Sequence, residues 1–134
     1  LIACKADVDA KDYKGRSALI RAALLGNDEV VELLIKKGAN VNTSDEKGRT
    51  PLMEACLTSN IGIINSLLLA GADINAQDVF GFTALIKAAY SGYRGMVEYL
   101  LENGADKNLV DNDGKKAMDW VRHECLDDLK DLLS

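Results

Sequence analysis

One short motif returns along the chain at a fixed interval of 33 residues. It consists of an aspartate, two variable residues and a glycine. Its four copies end at Gly15, Gly48, Gly81 and Gly114. A second series of glycines with the same spacing consists of Gly38, Gly71 and Gly104. A fixed period of this length indicates a stack of similar units, each of which buries its apolar face against its neighbours.

The period divides the chain into units that we expect to form a single domain over residues 1–134. The divisions are a remnant of a preceding repeat at 1–11, full repeats at 12–44, 45–77 and 78–110, and a C-terminal capping repeat at 111–134. The last repeat is charged at its end, as the final unit of a stack needs a polar outer face. Because the chain begins with Leu1 and not with methionine, we expect it to be part of a longer protein.

The sequence of each repeat predicts two short helices. In the repeat at 12–44 the first helix begins at Ser17 and is broken at Gly26, and the second runs from Asp28 to Lys37 and stops at Gly38. In the last repeat, residues 115–120 are expected to keep the first helix. Helices of about ten residues are marginal alone. We therefore predict an all-α solenoid of paired antiparallel helices with turns or β-hairpins at the tips, containing about four full or partial repeats.

Several short motifs, together with the period, resemble ankyrin repeats. They are the run Thr50-Pro51-Leu52, the alanine pairs at 22–23 and 88–89, and the Gly-Ala-Asn/Asp runs that begin at 38, 71 and 104. One departure concerns the histidine that this family usually carries after Pro-Leu. Ile20, Met53, Ile86 and Asp119 occupy that position here. The hydrogen bonds that this histidine usually makes are expected to be missing or replaced.

The residues that acid–base chemistry needs are scarce. The chain has one histidine, His123, and it lies on a charged terminal segment. The recurring aspartates Asp12, Asp45, Asp78 and Asp111 are interpreted as turn caps, because an aspartate can accept hydrogen bonds from the backbone ahead of it. Three distant cysteines form no zinc-binding spacing. We therefore predict no enzyme activity, no metal site and no cofactor.

Composition narrows the classes of partner and compartment. A formal net charge of −5 does not favour nucleic-acid binding. No apolar run is long enough to insert in a membrane. An odd number of dispersed cysteines favours a reducing intracellular compartment, the cytoplasm or alternatively the nucleus. We expect a monomer.

The resemblance to ankyrin repeats implies binding of other proteins through the turn tips and the exposed side of the first helices, which together line a concave face. Applied to this sequence, that register predicts fourteen partner-binding residues. They are Tyr13, Lys14, Arg16, Arg21, Leu24, Leu25, Lys47, Arg49, Leu57, Val79, Phe80, Phe82, Lys87 and Tyr90.

Two features stand out within this set. Lys14, Arg16, Lys47 and Arg49 form a basic strip, expected to contact acidic residues of a partner unless it is ordinary solvated charge. The repeat at 78–110 is aromatic: of the seven aromatic residues in the chain, five lie between 78 and 101. Aromatic residues at exposed positions are typical binding anchors. The alternative is that Phe80 and Phe82 fold back over the turn or pack on Tyr90 and Tyr93.

The leading hypothesis is a non-catalytic protein–protein interaction module or scaffold that binds a protein segment. The competing hypothesis is a structural spacer or docking domain within a larger multidomain protein, such as an enzyme, a channel or a signalling regulator. A third hypothesis, binding of a small molecule or a lipid head group, has no residue pattern in its support.

Overall fold

The computed structural model describes residues 7–134, and the predicted remnant repeat at 1–11 therefore lies partly outside the described residues. The helices are α1 (Ala18–Leu25), α2 (Asp28–Lys36), α3 (Pro51–Leu57), α4 (Ile61–Leu69), α5 (Ala84–Ser91), α6 (Arg94–Glu102) and α7 (Leu126–Leu133). Two 3-10 turns, Ala117–Trp120 and His123–Cys125, precede α7. The predicted all-α class is thus confirmed. In the described part of the chain, β structure is limited to an isolated antiparallel bridge between Lys11 and Ser17, so the tips are turns.

The helices begin where side chains satisfy the first backbone N–H groups. The Oγ of Ser17 accepts a hydrogen bond from the N–H of Ile20 at 3.3 Å, and the same bond forms between Thr50 and Met53 and between Thr83 and Ile86. Ile20, Met53 and Ile86 take the place of the expected histidine, and their side chains are buried. These positions therefore contribute to the core, and the serine and threonine side chains supply the hydrogen bonds at the helix N-termini.

The chain forms two compact units, one reaching to Asp73 and the other comprising Ile74–Ser134. In the first unit α1 contacts α2 and α3, α3 contacts α4, and α2 contacts α4. Small residues on the first helices allow this close approach. The buried core of the unit includes Leu19, Ala22, Leu34, Leu52, Ala55, Ile64 and Leu67.

Hydrogen bonds of the Asn42 side chain connect successive loops of the first unit. The side chain of Asn42 donates a hydrogen bond to the carbonyl of Gly71 at 3.2 Å, and its Oδ1 accepts one from the N–H of Asp73 at 2.7 Å. In the second unit Asn75 makes the same two bonds, to the carbonyl of Gly104 at 3.3 Å and from the N–H of Asp106 at 2.8 Å. These bonds add directional contacts to the apolar stacking of the repeats.

In the second unit α5 contacts α6 and the turn Ala117–Trp120, while α7 contacts α6 and both 3-10 turns. The guanidinium of Arg94 forms a bidentate pair with Asp131, with distances of 3.1 and 3.0 Å, and so attaches α7 to α6. The helix expected at 115–120 is present only as the short 3-10 turn Ala117–Trp120. The chain becomes extended at Val121 and Arg122, and this places the Arg122 side chain on the carbonyls of Tyr90 and Ser91 at the end of α5.

Candidate functional site

The tips of the repeats are built by the recurring aspartates. Oδ1 of Asp45 accepts hydrogen bonds from the backbone N–H groups of Lys47 and Arg49, both at 2.9 Å. Asp12, Asp78 and Asp111 make the equivalent pair of bonds. The glycine that ends each motif has a positive φ, 76° at Gly48, which favours a residue without a side chain. The prediction that these aspartates cap turns is confirmed.

The second carboxylate oxygen of each turn aspartate binds a side-chain donor, and the donor changes along the chain. Asp12 binds Nε of Arg16 at 3.2 Å and Asp45 binds Nε of Arg49 at 3.0 Å. In the next repeat a phenylalanine, Phe82, occupies the position of these arginines. There the amine of Lys87, from α5, lies 3.2 Å from Oδ2 of Asp78. In the last repeat the indole N–H of Trp120 donates to Asp111 at 2.8 Å.

These contacts keep several turn carboxylates ionised. Hydrogen bonding to the backbone N–H of Arg16 lowers the pKa of Asp12. Burial opposes the ionisation of Asp45, but bonds from the backbone of Arg49 and Lys47 and from the Arg49 side chain outweigh it and lower the pKa of Asp45. The pKa of Asp111 is likewise lowered, because bonds from the Lys115 backbone and the Trp120 indole outweigh its burial.

The predicted basic strip lies in the first unit and contains two kinds of cation. Arg16 and Arg49 are half-buried and hold their own turn aspartates. Lys14 and Lys47 are exposed, and the amine of Lys14 lies 5.7 Å from the centre of the Tyr13 ring. The exposed cations of the strip are therefore its lysines.

The remaining predicted site residues of the first unit differ in solvent exposure. Leu24 is half-buried. The exposed ones are Tyr13, Arg21, Leu25 and Leu57. Their role as partner contacts stays a prediction.

Four aromatic residues of the second unit form one connected cluster. The rings of Phe80 and Phe82 lie 5.9 Å apart, Phe82 meets the edge of Trp120 at 5.4 Å, and Trp120 meets Tyr90 at 6.3 Å. Val79, Phe80 and Tyr90 remain 53%, 51% and 55% exposed, whereas Phe82 and Trp120 are half-buried beneath them. We call these five residues the aromatic surface. Phe80 is thus exposed and Phe82 packs on Trp120, and contact of either residue with a partner stays a prediction.

Cations of the same unit lie over the rings of the aromatic surface. The amine of Lys87 is 5.3 Å from the centre of the Phe82 ring, and the amine of Lys115 is 4.9 Å from that of Trp120. The guanidinium of Arg122 lies 5.8 Å from the Tyr90 ring. Such contacts stabilise both the cation and the ring orientation.

Three contributors to this surface were not among the predicted site residues: Trp120, Lys115 and Arg122. A signal for Trp120 was present in the sequence, because it occupies the repeat position of Lys87 and replaces it as donor to the turn aspartate. No comparable signal pointed to Arg122, since its position depends on the extended backbone at Val121 and Arg122 that follows the turn Ala117–Trp120.

Two further features of the structure concern metal binding and membranes. Among residues 7–134 no group of three or more histidine, cysteine, aspartate and glutamate side chains is arranged to hold a metal ion. Within that same range no helix is both long enough and apolar enough to cross a membrane.

Comparison with protein families decides the family. A model described as ankyrin repeats (3 copies) matches residues 1–78, which is more than half of the chain. The chain belongs to the ankyrin repeat family. A second ankyrin model, described as ankyrin repeats (many copies), matches residues 67–120. No curated protein matches the chain.

Membership of this family gives a general function. Ankyrin repeats are generally protein–protein interaction modules, and proteins built from them are typically non-enzymatic. A protein partner is therefore the class of ligand that the family suggests.

Proposed function

We propose that this ankyrin repeat chain is a non-catalytic interaction module that binds a protein segment on the aromatic surface. The observation that carries the proposal is the half-exposure of Val79, Phe80 and Tyr90 above a packed layer of Phe82 and Trp120. Exposed aromatic residues supported by neighbouring rings are the usual anchors of protein interfaces.

The backbone around the aromatic surface is fixed before any partner arrives. The N–H of Asn112 donates to the carbonyl of Phe80 at 3.0 Å, and its side chain donates to the carbonyl of Val79 at 2.8 Å. The indole of Trp120 is held by Asp111. Because these groups are already ordered, binding costs less conformational entropy than it would on a mobile loop.

In the first unit we propose separate partner contacts by the exposed residues Tyr13, Leu25 and Leu57 and by the lysines of the basic strip. Affinity measured at increasing salt tests the strip, because its contribution weakens as charges are screened. A flat salt response would remove Lys14 and Lys47 from the proposal. We further propose that the chain acts as one monomeric domain. The cysteine usage favours a location inside the cell.

The first test is a selection of random peptides displayed on phage against the full chain, followed by affinity measurement of the selected peptides. We expect the double substitution Phe80→Ala and Tyr90→Ala to weaken binding by about tenfold or more, because truncating interface anchors removes most of the binding energy. Leu69→Ala is the matched control, since Leu69 is an exposed apolar residue of α4 at 81%. Equal binding by all three proteins would contradict the proposal.

A further inference from the structure

We propose that the aromatic surface selects acidic segments, in which an apolar side chain lies on the rings and a neighbouring aspartate or glutamate binds Lys115, with Arg122 as a second cation. This inference rests on the proposed function and adds the chemistry of the partner. Its evidence is the position of these two cations, the cations that lie over the ring faces, and the reach of an extended peptide.

Lys115 is the cation best placed to receive a carboxylate. It lies at the exposed tip of the last repeat, and its amine is 4.9 Å from the centre of the Trp120 ring. Within residues 7–134 no carboxylate lies at salt-bridge distance from the Lys115 amine, whose charge acts at longer range on Asp111 of the same turn. A partner carboxylate can therefore pair with it without displacing a bond of this chain.

Arg122 is the second cation at the edge of the surface. Its Nε and Nη2 atoms already donate to the carbonyls of Tyr90 and Ser91, at 3.0 and 3.1 Å. Its one carboxylate neighbour, Glu124, is 3.8 Å away, and the Glu124 side chain is largely exposed. A contact of this kind contributes little, so Arg122 still presents positive charge beside Tyr90.

The faces of the rings argue against a cationic partner. Phe82, Trp120 and Tyr90 each have a cation of this chain within 6 Å of the ring centre. An arriving lysine or arginine would meet like charge there and be repelled. An arriving carboxylate meets opposite charge, so complementarity favours an acidic segment.

The dimensions of the surface suit a short extended peptide. Residues of an extended chain advance by about 3.3 Å each. An apolar side chain against the exposed ring of Tyr90 therefore places a carboxylate about one to three residues away within reach of Arg122, 5.8 Å from that ring centre, or of Lys115, 4.9 Å from the centre of the adjoining Trp120 ring. The carboxylates nearest the rings already have partners, since Asp78 pairs with Lys87 at 3.2 Å and Asp111 accepts a hydrogen bond from Trp120 at 2.8 Å. Charges further away than about 8 Å are screened at physiological ionic strength.

The local charge can be measured without a partner, because Trp120 is the only tryptophan in the chain. We expect iodide to quench its fluorescence more than caesium does in the natural protein. Lys115→Gln should lower the ratio of iodide to caesium quenching. Lys36→Gln is the control, since it removes the same charge from α2 in the other unit. A ratio that Lys115→Gln leaves unchanged would overturn the proposal, because the amine would not control the field at the rings.

The partner chemistry is tested with the phage-selected peptides at physiological ionic strength. We expect sequences with aspartate or glutamate next to an apolar residue, and a loss of affinity of about three- to tenfold in Lys115→Gln but not in Lys36→Gln. Circular dichroism confirms that each variant is folded.

The outcomes of this experiment separate the two proposals. Peptides that depend on Phe80 and Tyr90 but are neutral or basic, or are insensitive to Lys115→Gln, would overturn the acidic preference and leave the proposed function standing. Peptides that ignore the aromatic substitutions, or a selection that yields no binder, would count against both.

Discussion

At the scale of single residues, the aspartate carboxylate of each turn contacts both the backbone and a side chain. Oδ1 of the turn aspartate organises the backbone, and Oδ2 accepts a hydrogen bond or an ion pair from a side chain that differs between repeats. Where the fifth residue of the turn is arginine, that arginine supplies the donor. Where it is Phe82 or Lys115, the donor comes from the following helical segment, as Lys87 or Trp120. This exchange leaves the fifth position available for an aromatic ring in the repeat at 78–110.

The residue-scale prediction concerns Asp45, which is buried and binds two backbone N–H groups and Arg49. We expect Asp45→Ala to lower the free energy of unfolding by about 2 kcal/mol, because partly buried donors lose a charged acceptor. Urea unfolding measures the change. Glu46→Ala, an exposed carboxylate removed from the same turn, should stay within about 0.5 kcal/mol of the natural protein. Equal effects of the two substitutions would show that the turn does not depend on Asp45.

At the scale of helices, glycines end α1 and α5 in different surroundings. Gly26 and Gly92 both have a left-handed backbone, with φ of 72° and 81°. A Cβ at Gly26 would meet its nearest atom at 3.9 Å, in the Asn60 side chain. A Cβ at Gly92 would lie 2.5 Å from Sγ of Cys125, so the segment before α7 packs directly over the end of α5.

The element-scale prediction follows from this difference. We expect Gly26→Ala to destabilise the protein by about 1 kcal/mol, the cost of a left-handed alanine. Gly92→Ala should cost about 2 kcal/mol or more, because steric overlap with Cys125 adds to that cost. Chemical denaturation of both variants measures the two values.

A double-mutant cycle identifies the source of the extra cost. Cys125→Ala should recover most of the excess in the Gly92→Ala background, since it removes the overlapping sulfur atom. If the two glycine substitutions cost the same, or if Cys125→Ala recovers nothing, the close packing of Cys125 on Gly92 would be wrong.

At the scale of the whole molecule, lowered carboxylate pKa values link stability to pH. The Arg94 guanidinium lowers the pKa of Asp131, and the pKa values of Asp12, Asp45 and Asp111 are lowered at the turns. In the unfolded chain these groups return to about 3.9. The unfolded state therefore binds more protons in acid, and the stabilisation present above that value is lost as pH falls through the lower pKa values of the folded state.

We accordingly predict that the free energy of unfolding, measured with urea, falls as pH decreases from about 5 to 2. Asp45→Asn should make this dependence shallower, because it removes one of the linked protonation sites. A free energy that stays constant across this range, or a slope unchanged by Asp45→Asn, would contradict the linkage. The test applies to the whole chain, since the contributing carboxylates are spread from Asp12 to Asp131.

Much of the architecture was predictable because the residues that define each structural element recur in several repeats. The glycines, the Ser and Thr caps and the apolar positions act through local backbone geometry or helical spacing, and both can be deduced without a structure. The helix predicted at 115–120 is shortened to the 3-10 turn Ala117–Trp120 for the opposite reason. Its local sequence permits a helix, but the bonds from Arg122 to α5 favour an extended chain just after Trp120.

The candidate site was only partly predictable, for a related physical reason. Repeat register placed Val79, Phe80 and Tyr90 at solvent-facing positions, and the structure leaves them half-exposed. Repeat register could not show that Arg16 and Arg49 would pair with the aspartates of their own turns, because that pairing depends on side-chain geometry.

The sequence by itself determined the period, the helix pairs, the turn caps and the family, since each follows from local rules repeated at fixed spacing. Only the tertiary structure decided that Trp120 joins Phe82 to Tyr90 and that Lys115 and Arg122 lie over the rings. Apart from the contact between Lys115 and Trp120, those contacts link residues of different repeats. Their geometry is set by packing and by competition for hydrogen-bond partners, which no single repeat specifies.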